Sequence, residues 1–400
     1  MLSNIPTPLL GIWQDRMGFS TGTTTVIFAA YIGGLLVALP FTGVLADRFG
    51  RRKVLVPALV VALVSCPLFM SAHHVADLLL ARFLTGLAVG AAVSAGTAAV
   101  VEVAGPDRRA TAALAGSAGI GLGLATGPLL GGGVSQFWGA PTVTVFALEI
   151  ILLLSALAVV FAVLPPGAGQ GTQRTWMRLP SVPRPHRNSL AAALVAYMPG
   201  MTGTSLILAL GPSLLTNLLH STNRLVAGGI GCVMFGTSTG IQFAIKRMSV
   251  RRVLTSAGLL TGMGMLGAVA AVCTRSLTLF VGAAVLAGAG QGMSQLGGFT
   301  LLGSSVPKCR LAEANAALSA GGYLFAGVLP IVTGYASDAV GMTTSTTVFA
   351  SVTAAAAITG ALMIRQILQP PGSGSGQHPL RPQRRARHTA EGNLGAGPGR

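Results

Sequence analysis

The sequence predicts an all-α polytopic membrane protein. It should form two six-helix bundles related by pseudo-two-fold symmetry, a 12-helix plan whose first helix is truncated. Three observations predict this. The first is composition: 52% of the 400 residues are hydrophobic and only 9% are charged, with a mean hydropathy of +0.70. A soluble domain carries about 25% charged residues to face water, so this chain cannot cover a soluble surface. The same figures exclude disorder for the bulk of the sequence. The second observation is a series of long aliphatic runs, since a helix needs about 20 apolar residues to cross a bilayer. The third is a repeat of the first half of the chain in the second.

The runs fall at 23–42, 54–72, 76–103, 110–134, 141–164, 189–215, 225–245, 253–274, 277–302, 313–337 and 345–368. Residues 1–12 make a shorter apolar stub. Twelve helical residues reach about 18 Å, short of a hydrocarbon core of about 30 Å. The first bundle is therefore 1–164 and the second 189–368. The segment between them, 165–188, is rich in Pro, Gly and Arg and reads as a cytoplasmic linker. Residues 369–400 are low in complexity and basic, and read as a disordered cytoplasmic tail. Within the repeat, RRKVL at 51–55 corresponds to RRVL at 251–254, and PTPLL at 6–10 to GPSLL at 211–215. Parallel repeats about a membrane-normal axis are a known transporter plan. The second copy has a full span ahead of Pro212 where the first has seven residues ahead of Pro8. The expectation is that the natural chain begins upstream of Met1.

The net charge of +17 comes from 26 basic and 9 acidic residues. Its meaning lies in position. Twenty-two of the 26 basic residues fall in alternate loops and the two ends of one side, and only Arg16, Arg224 and Arg275 fall on the other. The basic side is cytoplasmic by the positive-inside rule, and places the C-terminus there too. The charge is thus a topology signal, and no nucleic-acid partner is expected. Cys66, Cys232, Cys273 and Cys309 have no metal-ligand spacing and read as small packing residues. No metal or cofactor site is expected, and no Walker A sequence points to direct ATP drive.

At 43–53 the chain reads GVLADRFGRRK. An Asp among four cations, framed by two glycines between two spans, suits a gate. The stretch resembles the signature loop of the major facilitator superfamily, G-x-L-x-D-R-x-G-R-R, through Gly43, Leu45, Asp47, Arg48, Gly50, Arg51 and Arg52. The resemblance covers about residues 1–368. It implies a loop that latches the two halves in the outward-open state, and Glu102, at the inner end of its span, is the candidate partner for Arg51. The second copy, FAIKRMSVRRVL at 243–254, has no acidic residue.

The stretch LLLARFLTGLAVG at 78–90 resembles the family's fourth-helix motif through Arg82, Gly86 and Gly90. A cation inside hydrocarbon costs a few kcal/mol at least and faces a partner or a wet cavity; the alternative is snorkelling to the outer face. The resemblance links Arg82 to proton coupling. GLATGPLLGG at 123–132 resembles the fifth-helix motif of the drug:proton antiporter branch through Gly123, Gly127, Pro128, Gly131 and Gly132. Gly119, Gly123, Gly127 and Gly131 share one helix face, as do Gly228, Cys232, Gly236 and Gly240. Small residues every four positions allow close helix approach. The two faces are expected to meet across the domain interface, with Gly123 opposite Gly236 and Pro128 bending its helix.

Glu149 falls about nine residues into its span, where an ionised carboxyl is costly. It is a candidate proton carrier, with a structural role as the alternative. Asn4, Thr7, Tyr197 and Thr202, and Gln242, Gln291, Gln295 and Tyr323, are candidates to line a central cavity, with packing or interhelical hydrogen bonds as the commoner role for most of them. Aromatic residues are only 6% of the chain, which argues against an aromatic cage for a cation. His73, His74 and Asp77 are the only grouping that suggests an enzyme, and it is a weak constellation. The function implied is secondary active transport by alternating access: proton-coupled efflux of small amphipathic compounds by a monomer in the plasma membrane. The alternatives are uptake or facilitated diffusion by the same fold, or an inactive, clipped transporter.

Overall fold

The computed structural model describes residues 1–105, 107–165, 184–217, 223–245, 247–307 and 310–367. Twelve helices follow one another among them: α1 (Leu10–Met17), α2 (Thr21–Phe49), α3 (Arg51–Met70), α4 (Val75–Ala104), α5 (Arg109–Phe137), α6 (Pro141–Val163), α7 (Arg187–Asn217), α8 (Arg224–Ala244), α9 (Val250–Thr274), α10 (Leu277–Ser305), α11 (Leu311–Val340) and α12 (Met342–Ile367). Eleven of these are long and apolar enough to span a membrane. Each coincides with one of the eleven expected runs. Most of the expected linker, and the whole tail 369–400, lie outside the described residues.

The helices sort into two groups with matching neighbours. In the first, α4 packs on α2 and α3, and α3 on α6; in the second, α10 packs on α8 and α9, and α9 on α12. Two seams join the groups, α2 with α11 and α5 with α8. Along the first seam Gly22 meets Tyr335 and Asp338, and Gly327 meets Ile32, so the two helices run antiparallel.

Outward faces are apolar, as a bilayer requires. Helix α6 shows the rule most simply. Its buried residues are Thr142, Val145, Phe146 and Glu149, one stripe at helical spacing. Ile151, Leu154 and Val159 on its other faces are more than half exposed. A side chain in lipid has no reason to be polar, and a carboxyl does, so Glu149 takes the inward stripe.

The N-terminal stub is part of the first core. Residues 7–9 make one 3-10 turn, and α1 follows directly. Ile5, Leu9, Leu10 and Trp13 are buried with Cys66, Phe69 and Phe146. Phe69 and Phe146 stack at 4.7 Å, and Trp13 lies 5.9 Å from Phe69. Of the cysteines expected as packing residues, Cys66 is buried but Cys273 is exposed, because it sits in the last turn of α9.

Candidate functional site

A cavity of about 510 Å³ lies between the two halves. Helices α2 and α5 and residue Asn4 supply one wall; α7, α8, α10 and α11 supply the other. Leu114 and Ser117, near the start of α5, and Gln242 and Phe243, at the end of α8, carry it toward the end of the bundle that holds Asp47 and Arg51. Of the polar residues expected there, Asn4, Gln242, Gln291, Gln295 and Tyr323 line it. Thr7, Tyr197 and Thr202 do not: Thr7 turns to Arg82, while Tyr197 and Thr202 are buried in helix packing. The low overall aromatic content misleads, because Phe28, Tyr31, Phe235, Phe243, Phe299 and Tyr323 all converge on this one space. They come from four helices, so no local sequence pattern announces them. Among the described residues, no acidic or basic side chain lines the cavity.

The polar side of the far wall is a connected network. The hydroxyl of Ser238 donates to Gln291 Oε1, and Gln291 Nε2 donates to Gln295 Oε1 at 3.3 Å and to Met201 Sδ at 3.4 Å. This ties α7, α8 and α10 together at the height of the cavity. Gly288 and Gly292 let α10 press against the backbone of α8 at Met234 and Ser238.

Arg82 is fully buried and does not snorkel to a surface. Its Nη1 donates to the carbonyl of Ser3 at 2.7 Å, and its Nη2 reaches Thr7 Oγ1 at 3.4 Å. Its Nε has no partner. The guanidinium carbon lies 6.0 Å from the ring centre of Phe28, which lines the cavity. Arg82 therefore stands one layer behind the wall. Gly86, one turn further along α4, sits against the backbone of Tyr31 on α2, and Gly90 packs on Ala38. Glu149 is 4% exposed and lies beside the backbone of Leu2. It touches the same N-terminal segment as Arg82, and neither residue lines the cavity.

The signature stretch is helical where a loop was expected. Helix α2 runs through Phe49, so Gly43, Asp47 and Arg48 are within it, and Gly43 packs against Ser94 on α4. No residue before Gly50 breaks the helix. Gly50 alone makes the turn, at a φ of 98° that favours glycine. Asp47 thus ends a helix rather than starting one. Arg51 pairs with its carboxylate at 2.8 Å and approaches Glu102 at 3.5 Å. Arg52 stacks over the Phe161 ring at 4.5 Å and donates to the Leu164 carbonyl at 3.2 Å, while Arg48 lies 5.5 Å from the Phe49 ring centre.

The glycines of α5 divide their work differently from the expectation. Gly123, Gly127 and Gly131 face the N-terminal segment, against the backbone of Met1 and Ile5. It is the other face, Gly121, Pro128 and Gly132, that meets α8, at Thr239, Gly231 and Gly228. The helices pack as expected, but Gly236 has nothing near it and does not oppose Gly123. Two helices compete for one glycine-rich helix, so it needs two smooth faces. Pro128 lacks the N–H that would bond the carbonyl of Leu124. That carbonyl accepts from Asn4 Nδ2 at 3.5 Å instead.

At the end away from Asp47, the halves are held together. Asp338, in the last turn of α11, accepts from the backbone N–H of Thr21 at 3.1 Å and of Gly22 at 2.9 Å, at the start of α2. On the other seam Arg224 Nη1 donates to the Ser135 carbonyl at 3.2 Å, and its backbone N–H donates to Gln136 Oε1 at 3.1 Å. Sequence reasoning missed Asp338. Its position two residues from the end of α11 matches that of Asp47 in α2, the one signal that marks it. His73, His74 and Asp77 form no catalytic group: the Asp77 carboxylate accepts from the backbone N–H of both histidines and caps α4.

The family model of the Major Facilitator Superfamily matches residues 1–244. The chain belongs to this superfamily. The superfamily's fold extends over nearly the whole chain: a bacterial homolog of the human lysosomal transporter Spinster, solved inward-facing and unoccupied, superposes with a TM-score of 0.72 at 15% identity, covering 93% of this chain and 95% of that one. The chain is 30% identical over 170 residues to multidrug resistance protein 2 of Bacillus subtilis, which is 40% of this chain and 42% of that protein. It is 25% identical over 154 residues to the quinolone resistance protein NorA of Staphylococcus aureus, 36% of this chain and 40% of that protein. The chain thus spans less than half the length of either relative. Membership places the chain in a family of transporters rather than enzymes.

Proposed function

We propose that this transporter works as a proton-coupled exporter of small amphipathic compounds in the plasma membrane, as a monomer with its basic end and C-terminus in the cytoplasm. The observation that carries this reading is the central cavity, aromatic on several sides and uncharged, between two halves that meet along two seams. Ligand sites in alternating-access transporters lie at such an interface near the membrane midplane. The partial likeness to two drug-resistance proteins supports export over uptake.

In this conformation the cavity faces the cytoplasm. Asp338 and the α5–α8 seam close the outer end. Substrate enters between α5 and α8 at their inner ends. The halves then rock, the outer contacts part, and Asp47, Arg51 and Glu102 hold the inner end shut. Asp47 lies two residues from the end of α2, as Asp338 does in α11, and on closure it meets the start of α11 as Asp338 now meets the start of α2. Protons arriving from outside neutralise Glu149, and the field of Arg82 on the shared N-terminal segment links that event to the cavity.

The test is cellular accumulation of fluorescent amphipathic compounds, one anionic, one neutral and one cationic. Cells expressing the chain should accumulate less of at least one, and a protonophore should abolish the difference. Glu149→Gln should remove proton-driven export while the protein still reaches the membrane. Unchanged accumulation of all three compounds would sink the reading.

A further inference from the structure

Among the described residues the cavity wall carries no charge, yet a charge stands just behind it. Arg82 is fully buried, with partners that are all neutral: the Ser3 carbonyl, the Thr7 hydroxyl and the Phe28 ring. No carboxylate lies within ion-pair distance of it among the described residues. Glu149 is the other ionisable side chain buried in this half, and it sits at Leu2 and Cys66, off the cavity wall. Phe28 and Tyr31, which line the cavity, are both neighbours of the guanidinium. In a low-dielectric surround such a charge acts over several ångströms with little screening.

We propose that the cavity selects amphipathic organic anions, with Arg82 setting the charge preference from behind the wall. The inference deepens the transport reading above and rests on the same cavity. An aromatic body fits among Phe28, Phe235 and Phe299. A carboxylate then finds neutral donors facing it from the opposite wall: Gln242, Thr239 and Gln295. Donors of this kind satisfy an anion, and the field of Arg82 offsets its desolvation. A cation in the same place meets a like charge and no acid. The aromatic rings offer it cation–π contact, which leaves the sign of the Arg82 field unchanged.

The experiment is equilibrium binding to the full chain in lipid nanodiscs, with no gradient present. The probes share one body: 2-naphthoate, 2-naphthamide and 2-naphthylmethylammonium. The expected order is carboxylate, then amide, then ammonium, with about tenfold between the ends. Arg82→Lys should keep the order, and Arg82→Gln should shrink the spread to about twofold. Ser117→Asp puts an acid on the cavity wall away from Arg82 and should reverse the order. It decides the matter if Arg82→Gln does not fold. The proposal is overturned if the ammonium or the amide binds most tightly to the unaltered chain. It is equally overturned if folded Arg82→Gln keeps the full spread, if Ser117→Asp leaves the order unchanged, or if no probe binds. A chain that binds in the expected order but moves no compound against a proton gradient refutes the export reading alone.

Discussion

Asp338 joins the two halves at the end away from Asp47. A carboxylate accepting two backbone N–H groups at a helix start gains from charge-assisted hydrogen bonds and from the dipole of that helix. The contact crosses from one half to the other, so its energy bears on the balance between conformations rather than on folding. Asp338→Asn keeps the shape and removes the charge. The expected cost is about 1 kcal/mol, about a fivefold shift toward the outward-open state. Thr25, buried beside Gly334 on this seam, reports the shift. Thr25→Cys should react several-fold faster with a membrane-impermeant maleimide when Asp338→Asn is also present. An equal rate would show that Asp338 holds nothing closed. Arg82 is a different kind of residue. Its charge was legible because an Arg within an apolar run has no ordinary reason to be there. Its neighbours were not legible, since Ser3 and Phe28 lie far from it along the chain.

At the scale of elements, α5 decides most. Its small residues are needed on two faces, because it packs against the N-terminal segment and against α8 at once. The sequence shows the spacing of four but not which partner each face takes. Cysteines at Gly121 and Thr239 should form a disulfide readily, because a Cβ added at Gly121 falls 2.9 Å from Thr239 Cβ and needs only slight spreading of the helices. Cysteines at Gly123 and Gly236 should not crosslink in this conformation. The reverse result would mean that α5 is rotated. A bulkier side chain at Gly228 gives a second check. Gly228→Leu meets the Pro128 carbonyl directly and should lower the melting temperature or the yield of the folded chain, while Gly236→Leu, in open space, should be tolerated.

At the scale of the whole molecule, transport requires the halves to move about their two seams. The 121–239 disulfide bridges those halves at the cavity. Oxidised protein should therefore stop exporting, and a reductant should restore export to the level before oxidation. Export that continues with the crosslink fully formed would exclude a rocking motion at that seam. The two halves also differ in a way their repeat hides. The second supplies most of the cavity's amides and hydroxyls, against Asn4, Tyr31 and Ser117 from the first, and among the described residues only the first has a buried cation behind its wall. Symmetry of the scaffold thus coexists with asymmetry of the site.

The sequence by itself determined the class, the eleven spans and their grouping into two halves. These follow from local quantities: the length of an apolar run against the thickness of a bilayer, and the periodic fall of basic residues between runs. It did not place the turn between α2 and α3: the stretch 43–53 read as a loop, and the structure puts the break at Gly50 alone. Only the tertiary structure decided which side chains share the cavity, which face of α5 meets α8, and that Asp338 joins the halves at the end away from Asp47. Those facts depend on how helices far apart in the chain rotate and cross. Rotation is set by small-residue contacts summed over whole seams, and no single stretch of sequence contains that sum.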